Sequence, residues 1–133
     1  MLTARAGKQL LIETPDTMGM LSKVANAVAE AGVNIIALNA FSREGKAYFM
    51  LLTSNNAEAT AALKPLNVGI KEEDVVLVDL GGQVGSAGEM GEKLAKGKIN
   101  LSYIYGTTSA GGNTCLLVLQ SNNNVKAIEA INK

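Results

Sequence analysis

The chain repeats itself, and that narrows the folds open to it more than any other feature. AGVNIIALNAF, from Ala31, aligns with GKINLSYIYGT, from Gly97, at an offset of 66 residues. The same offset carries Gly19 onto Gly85 and lays KQLLIET, from Lys8, over DVVLVDL, from Asp74. Further on, LLTSNN, from Leu51, matches VLQSNN, from Val118, at an offset of 67, which reads as a one-residue insertion in the Gly-rich hairpin SAGGN. Two copies of one small unit therefore share 133 residues. Each is near the lower size at which a domain buries enough apolar surface to stand alone, so the copies should lean on each other or on a partner.

Within each copy the apolar period alternates between helix-like and strand-like. After the strand LLIET, residues Leu21, Val24, Ala25, Val28 and Ala29 recur at helical spacing and Gly32 follows as a stop, which predicts a helix over 20–31. The second copy places Ala87, Met90, Gly91, Leu94 and Ala95 at the equivalent positions. A strand over 33–42, a turn at Arg43-Glu44-Gly45-Lys46 and a strand over 47–53 read as a hairpin, repeated over 99–106 and 114–119. Ser54-Asn55-Asn56 then caps a short helix that stops near Pro65, and Ser121-Asn122-Asn123 caps its counterpart carrying Val125, Ile128 and Ile131. The order per unit is β, α, β, β, α.

A final strand would complete a ferredoxin-like βαββαβ plan, and Val68 to Lys71 offers one in the first unit. The second unit reaches Ile131-Asn132-Lys133 directly after its helix. The repeat offset lays residues 67–73 over 1–7, so Leu2 to Ala6 is expected to supply that strand, from this chain or a second subunit; a frayed terminus is the plainer reading. The expected fold is α+β: two tandem modules with antiparallel sheets and helices on one face. The units are 1–72 and 73–133, with 1–7 serving the second.

Composition limits function. Twelve basic and twelve acidic residues cancel, the pI is about 6.3 and no basic cluster stands out, which argues against nucleic acid and membrane as partners. No apolar run suits a signal peptide or a membrane span, so the expected location is cytoplasmic. With one cysteine and no histidine there is no internal disulfide, imidazole catalysis or CxxC metal pair. No catalytic residue, cofactor or metal site is assigned, and no carboxylate pair has a spacing that suggests acid–base work. Cys115 reads as a small buried hydrophobe, and Tyr103 and Tyr105 as same-face packing residues.

At the first strand–helix junction, PDTMGMLSKVANAVAEAGVNI resembles the ACT-domain signature, in which D-x-x-G-x-L opens the first helix and an asparagine begins the second strand. The second copy, GGQVGSAGEMGEKLAKGKINL, is similar but has Gly82 where the first has Asp16. The resemblance implies a small regulatory protein that holds an effector, an amino acid above all, between two ACT units. On physical grounds, the N–H groups opening a helix carry partial positive charge and receive a carboxylate or phosphate where no side chain blocks them. The resemblance makes Asp16, Thr17, Met18, Gly19, Met20, Leu21 and Asn34 the first candidate set, with Gly85, Ser86, Ala87 and Asn100 the second. The effector's carboxylate would sit on the helix start, and Asn34 with strand carbonyls would take its ammonium.

Simpler readings stand beside these. Asp16 or Thr17 can be the N-cap of the first helix, Asn34 can satisfy local backbone, and Gly19 can serve a tight turn. GKAYFMLL loosely resembles an RNP1 pattern, but a neutral chain that is 4% aromatic lacks the stacking and basic surface RNA requires. The alternative function is a structural or oligomerisation subunit that regulates a partner metabolic enzyme without a ligand site. Strand Ala47-Tyr48-Phe49-Met50-Leu51-Leu52 is apolar on both faces while helices cover one, which predicts a homodimer or larger assembly.

Overall fold

Leu10 and Ile12 are buried on one face of the first extended segment while Leu11 between them is only partly buried, and strand β1 runs from Thr3 to Pro15, where the proline ends it. The computed structural model describes residues 2–81, 83–108 and 114–133. The other elements are α1 (Met20–Glu30), β2 (Ile35–Arg43), β3 (Lys46–Thr53), α2 (Asn56–Leu63), β4 (Gly69–Asp79), α3 (Ser86–Lys96), β5 (Leu101–Thr108), β6 (Cys115–Ser121) and α4 (Asn124–Asn132). A short 3₁₀ turn, Lys64–Leu66, follows α2.

The chain divides into two compact units. One is Lys8–Glu73; the other is Asp74–Lys133 with the N-terminal residues through Gly7. In the first, the strand order is β2-β3-β1-β4, with antiparallel pairs such as Leu10 opposite Leu51 and Leu38 opposite Leu51. Its core joins Leu10, Ile12, Phe49 and Leu51 from the sheet with Met20, Val24 and Val28 from α1 and Ala59 and Leu63 from α2. In the second, the order is β1-β4-β6-β5, and Val76, Val78, Leu119, Met90, Leu94, Ala127 and Ile131 form the core with Ala4 of the N-terminal strand. Both are the α+β arrangement the sequence implies. Strand β4 runs unbroken through residues 72 and 73, where the sequence reading divides the units.

Three sequence-derived details change. The buried stripes are Met20, Val24 and Val28 on α1 and Ser86, Met90 and Leu94 on α3, so each helix is rotated from the expected face. Leu21 is half exposed, because the i, i+4 series starting at residue 20 points at the sheet. On α4, Val125 is exposed and Ala127 takes the buried place beside Ile131.

The second repeat also slips by two residues rather than one. Asn55 Oδ1 accepts the Glu58 N–H at 3.1 Å, and Asn123 Oδ1 accepts the Lys126 N–H at 3.1 Å. Asn56 Nδ2 donates to the Lys8 carbonyl and Asn124 Nδ2 to the Asp74 carbonyl, each at 3.1 Å. Asn55 to Asn123 and Asn56 to Asn124 are spacings of 68. Three consecutive asparagines, Asn122 to Asn124, hide the slip in sequence. The SAGGN loop assigned to the insertion, at 109–113, lies outside the described residues, as does Gly82.

Met50 and Leu52, on β3, stand outside the helix-covered core cluster of their unit.

Candidate functional site

A sharp turn joins the first strand to the first helix in each unit, and one glycine makes each turn possible. Gly19 has φ 86° and Gly85 φ 89°, left-handed values that favour glycine. Each is the N-cap of its helix, and neither helix has a side-chain cap bond. Neither Asp16 nor Thr17 is therefore the N-cap. The first bonds inside the helices run from Lys23 N–H to the Gly19 carbonyl and from Glu89 N–H to the Gly85 carbonyl, both 3.0 Å. Upstream N–H groups of an opening turn lack acceptors within the helix, so this end carries partial positive charge. A Cβ built on either glycine meets nothing within 4 Å. The space beside each glycine is therefore open.

Around the first turn, Asp16, Thr17, Met18 and Gly19 are all exposed, Met18 at 99%. Met20 turns inward to the core, leaving only its backbone at the surface, while Leu21 faces out. The Asp16 N–H donates to the Gly45 carbonyl at 3.1 Å, which brings the β2–β3 turn beside the junction. Lys46 and Glu13 form an ion pair of 3.5 Å near the same strand ends.

Around the second turn, Ser86 is buried and its N–H already donates to the Gln83 carbonyl at 3.2 Å. Ala87 is exposed. A cavity of about 330 Å³ opens here, lined by Gly85, Ser86 and Ala87 with Gln83, Thr107 and Cys115 among its other walls. Its size lies at the lower end of the range for small-molecule pockets.

The asparagines lie elsewhere. Asn34 follows α1, and its backbone exchanges two 2.9 Å hydrogen bonds with Ser54, donating to Oγ and accepting from the Ser54 N–H. Asn100 donates its backbone N–H to Asn122 Oδ1 at 3.1 Å and its carbonyl accepts from the Asn122 N–H at 3.0 Å. At 1.5 Å per residue, the 11 residues of α1 separate Gly19 from Asn34 by about 16 Å, and α3 separates Gly85 from Asn100 likewise. No free amino acid spans that distance. The junction residues are brought together in each unit, but the asparagine of the same unit is not with them.

A family model described as an ACT domain pair matches residues 6–133. The chain belongs to the ACT-domain family. Solved structures agree on the fold of this ACT pair. Protein BT0572 from Bacteroides thetaiotaomicron has a TM-score of 0.88 at 23% identity, covering 97% of this chain and 88% of that one. The ligand-free regulatory subunit of aspartate kinase from Thermus thermophilus gives 0.69 at 18% identity, covering 98% and 94%. Aspartokinase III from E. coli, in complex with aspartate and ADP, gives 0.61 at 18% identity, with 98% of this chain and 31% of that one covered. Among curated protein sequences none matches.

Sequence reasoning missed several residues that the ACT fold gathers at the junctions. Thr107, Cys115 and Leu117 reach the second through the register of the β5–β6 hairpin, where Thr108 faces Cys115 and Gly106 faces Leu117. That pairing was within reach of the hairpin pattern, had the loop length been fixed. Gln83 carried no signal, since a lone glutamine before a helix is unremarkable. Among the described residues no helix is long and apolar enough to cross a membrane.

Proposed function

We propose that this ACT pair is a regulatory protein rather than an enzyme, and that it binds an amino acid or a similar small effector between ACT units. The observation that carries the reading is the repeated junction: a left-handed glycine with open space beside it and no side-chain cap on the helix that follows, in both units. An α-carboxylate docks on such a turn by charge and by direct N–H donation. The ammonium needs oxygen acceptors, and the strand starts at Asn34 and Asn100 carry them. Because each asparagine is about 16 Å from its own junction, a complete site takes its helix start from one unit and its strand start from another. That geometry makes ligand binding and association between units depend on each other, so that effector favours assembly and assembly favours effector. The aspartate in the aspartokinase III structure makes a dicarboxylic amino acid a reasonable first ligand to try. The same reading has the protein acting in the cytoplasm as a homodimer or larger assembly, in contact with a metabolic enzyme.

Equilibrium dialysis with radiolabelled amino acids tests the proposal on the intact chain and on Gly19→Asp and Gly85→Asp, which place a carboxylate where the effector's own would sit. Loss of at least tenfold in affinity in one or both variants is expected. Full affinity in both would remove the junctions as the site.

A further inference from the structure

The N-terminal strand of the Asp74–Lys133 unit is held differently from its equivalent in the other unit. There, the residue corresponding to Ala4 is Ile70, and the chain reaches it directly from α2 through the Lys64–Leu66 turn and Asn67, which adopts φ 55°. The peptide chain itself fixes the strand beside the helix. The residues around Ala4 have no such connection to α4. In its place, the side-chain amide of Asn132 on α4 pairs with both polar groups of the Ala4 peptide unit: the Ala4 N–H donates to Oδ1 at 2.7 Å, and Nδ2 donates to the Ala4 carbonyl at 2.9 Å. An amide that answers a residue's donor and acceptor together imitates a neighbouring strand, and it does so whatever side chain that residue carries.

Two other contacts mark the docked position. Arg5 meets Asp79 at 2.6 Å, with both side chains about half exposed, so this pair adds register more than strength. A Cβ on Gly7 would come within 2.7 Å of the Leu77 side chain, so the glycine leaves the room that Leu77 of β4 occupies. Ala4 is a member of the hydrophobic core of this unit, and Leu2, Thr3 and Ala4 wall a cavity of about 640 Å³ together with Leu80, Ser86 and Lys93.

We infer that residues 3–7 of β1 form a latch and Asn132 its catch: this segment docks and undocks as one element, and undocking opens this cavity and leaves the facing backbone edge of β4 unpaired. This inference rests on the geometry of the Asp74–Lys133 unit and not on the amino-acid-binding reading.

Hydrogen–deuterium exchange of the full-length chain tests it, followed residue by residue by NMR at Arg5, Ala6 and Gly7. Asn132→Leu removes both bonds at similar volume and should speed exchange there by about tenfold to thirtyfold, the equivalent of two ordinary hydrogen bonds. Asn132→Asp keeps an acceptor for the Ala4 N–H but sets a carboxylate oxygen against the Ala4 carbonyl, and should also speed exchange there. Arg5→Ala should change exchange less than either. Amides in α1 and β3 should keep their wild-type rates. Wild-type exchange at residues 5–7 in Asn132→Leu would overturn the latch. So would an equal rise across all of Asp74–Lys133, because Asn132 would then support the whole unit and not a separable strand.

Discussion

Replacing glycine by alanine should shift stability in opposite directions at two places in this chain. Gly19 sits at φ 86° with nothing within 4 Å of a new Cβ, so the methyl group meets no neighbour and the cost is conformational alone. A left-handed non-glycine residue costs about 1 to 2 kcal/mol. Gly91 lies in the interior of α3, outside the left-handed region, also with nothing within 4 Å of its Cβ. There alanine removes the entropy penalty of glycine and should stabilise by about 0.8 to 1 kcal/mol. At about 2.1 cal/mol/K per residue, the 133-residue chain has an unfolding entropy of about 280 cal/mol/K, so each kcal/mol moves Tm by about 4 °C. If Lys8–Glu73 melts on its own, its 66 residues make that about 7 °C for Gly19→Ala. Differential scanning calorimetry gives both the sign and the cooperativity. Gly19→Ala should lower Tm by at least 4 °C, and Gly91→Ala should raise it. A neutral or stabilising Gly19→Ala would refute the left-handed junction on which the site is built.

Other perturbations follow from the same packing. Asn55→Ala and Asn123→Ala each remove a side-chain N-cap and should cost about 1 kcal/mol in chemical denaturation, nearly equal because the two caps have the same geometry. Leu119→Ala, at a fully buried position, should cost about 2 to 5 kcal/mol by the same assay, and a loss under 1 kcal/mol would mean that this core is not packed as described. Burial pushes the Tyr105 hydroxyl up to about 12 from its usual 10.0. The folded state thus favours the neutral phenol, and the stability linked to it is intact below pH 10 and lost as pH rises from 10 to 12. Tyr105→Phe should flatten that part of the pH–stability curve, and an unchanged slope would place the group in solvent.

Much of the fold was legible because the repeat doubles every signal. The Gly19 and Gly85 turns, the two hairpins and the asparagine-capped second helices recur at matching places, and each copy supports the other. What the sequence concealed has physical causes. A helical stripe can be read from residue 20 or from residue 21, since Met20 and Leu21 are both apolar and only the sheet decides which faces inward. The double slip in the second hairpin is invisible where Asn122, Asn123 and Asn124 can each pose as the cap. At the candidate site, the glycine turns could be recognised directly, but Thr107 and Cys115 enter only through strand register. That the length of α1 sets Gly19 and Asn34 about 16 Å apart was implicit in the sequence.

Thermal melting of the intact protein against each of the twenty amino acids and the common nucleotides tests the ligand-binding claim most directly. A ligand present at one hundred times its dissociation constant adds about 2.7 kcal/mol, a rise of about 10 °C if the chain melts as one. At least one amino acid should produce that rise, and Gly19→Asp or Gly85→Asp should abolish it. A melting temperature that no ligand moves would contradict the account.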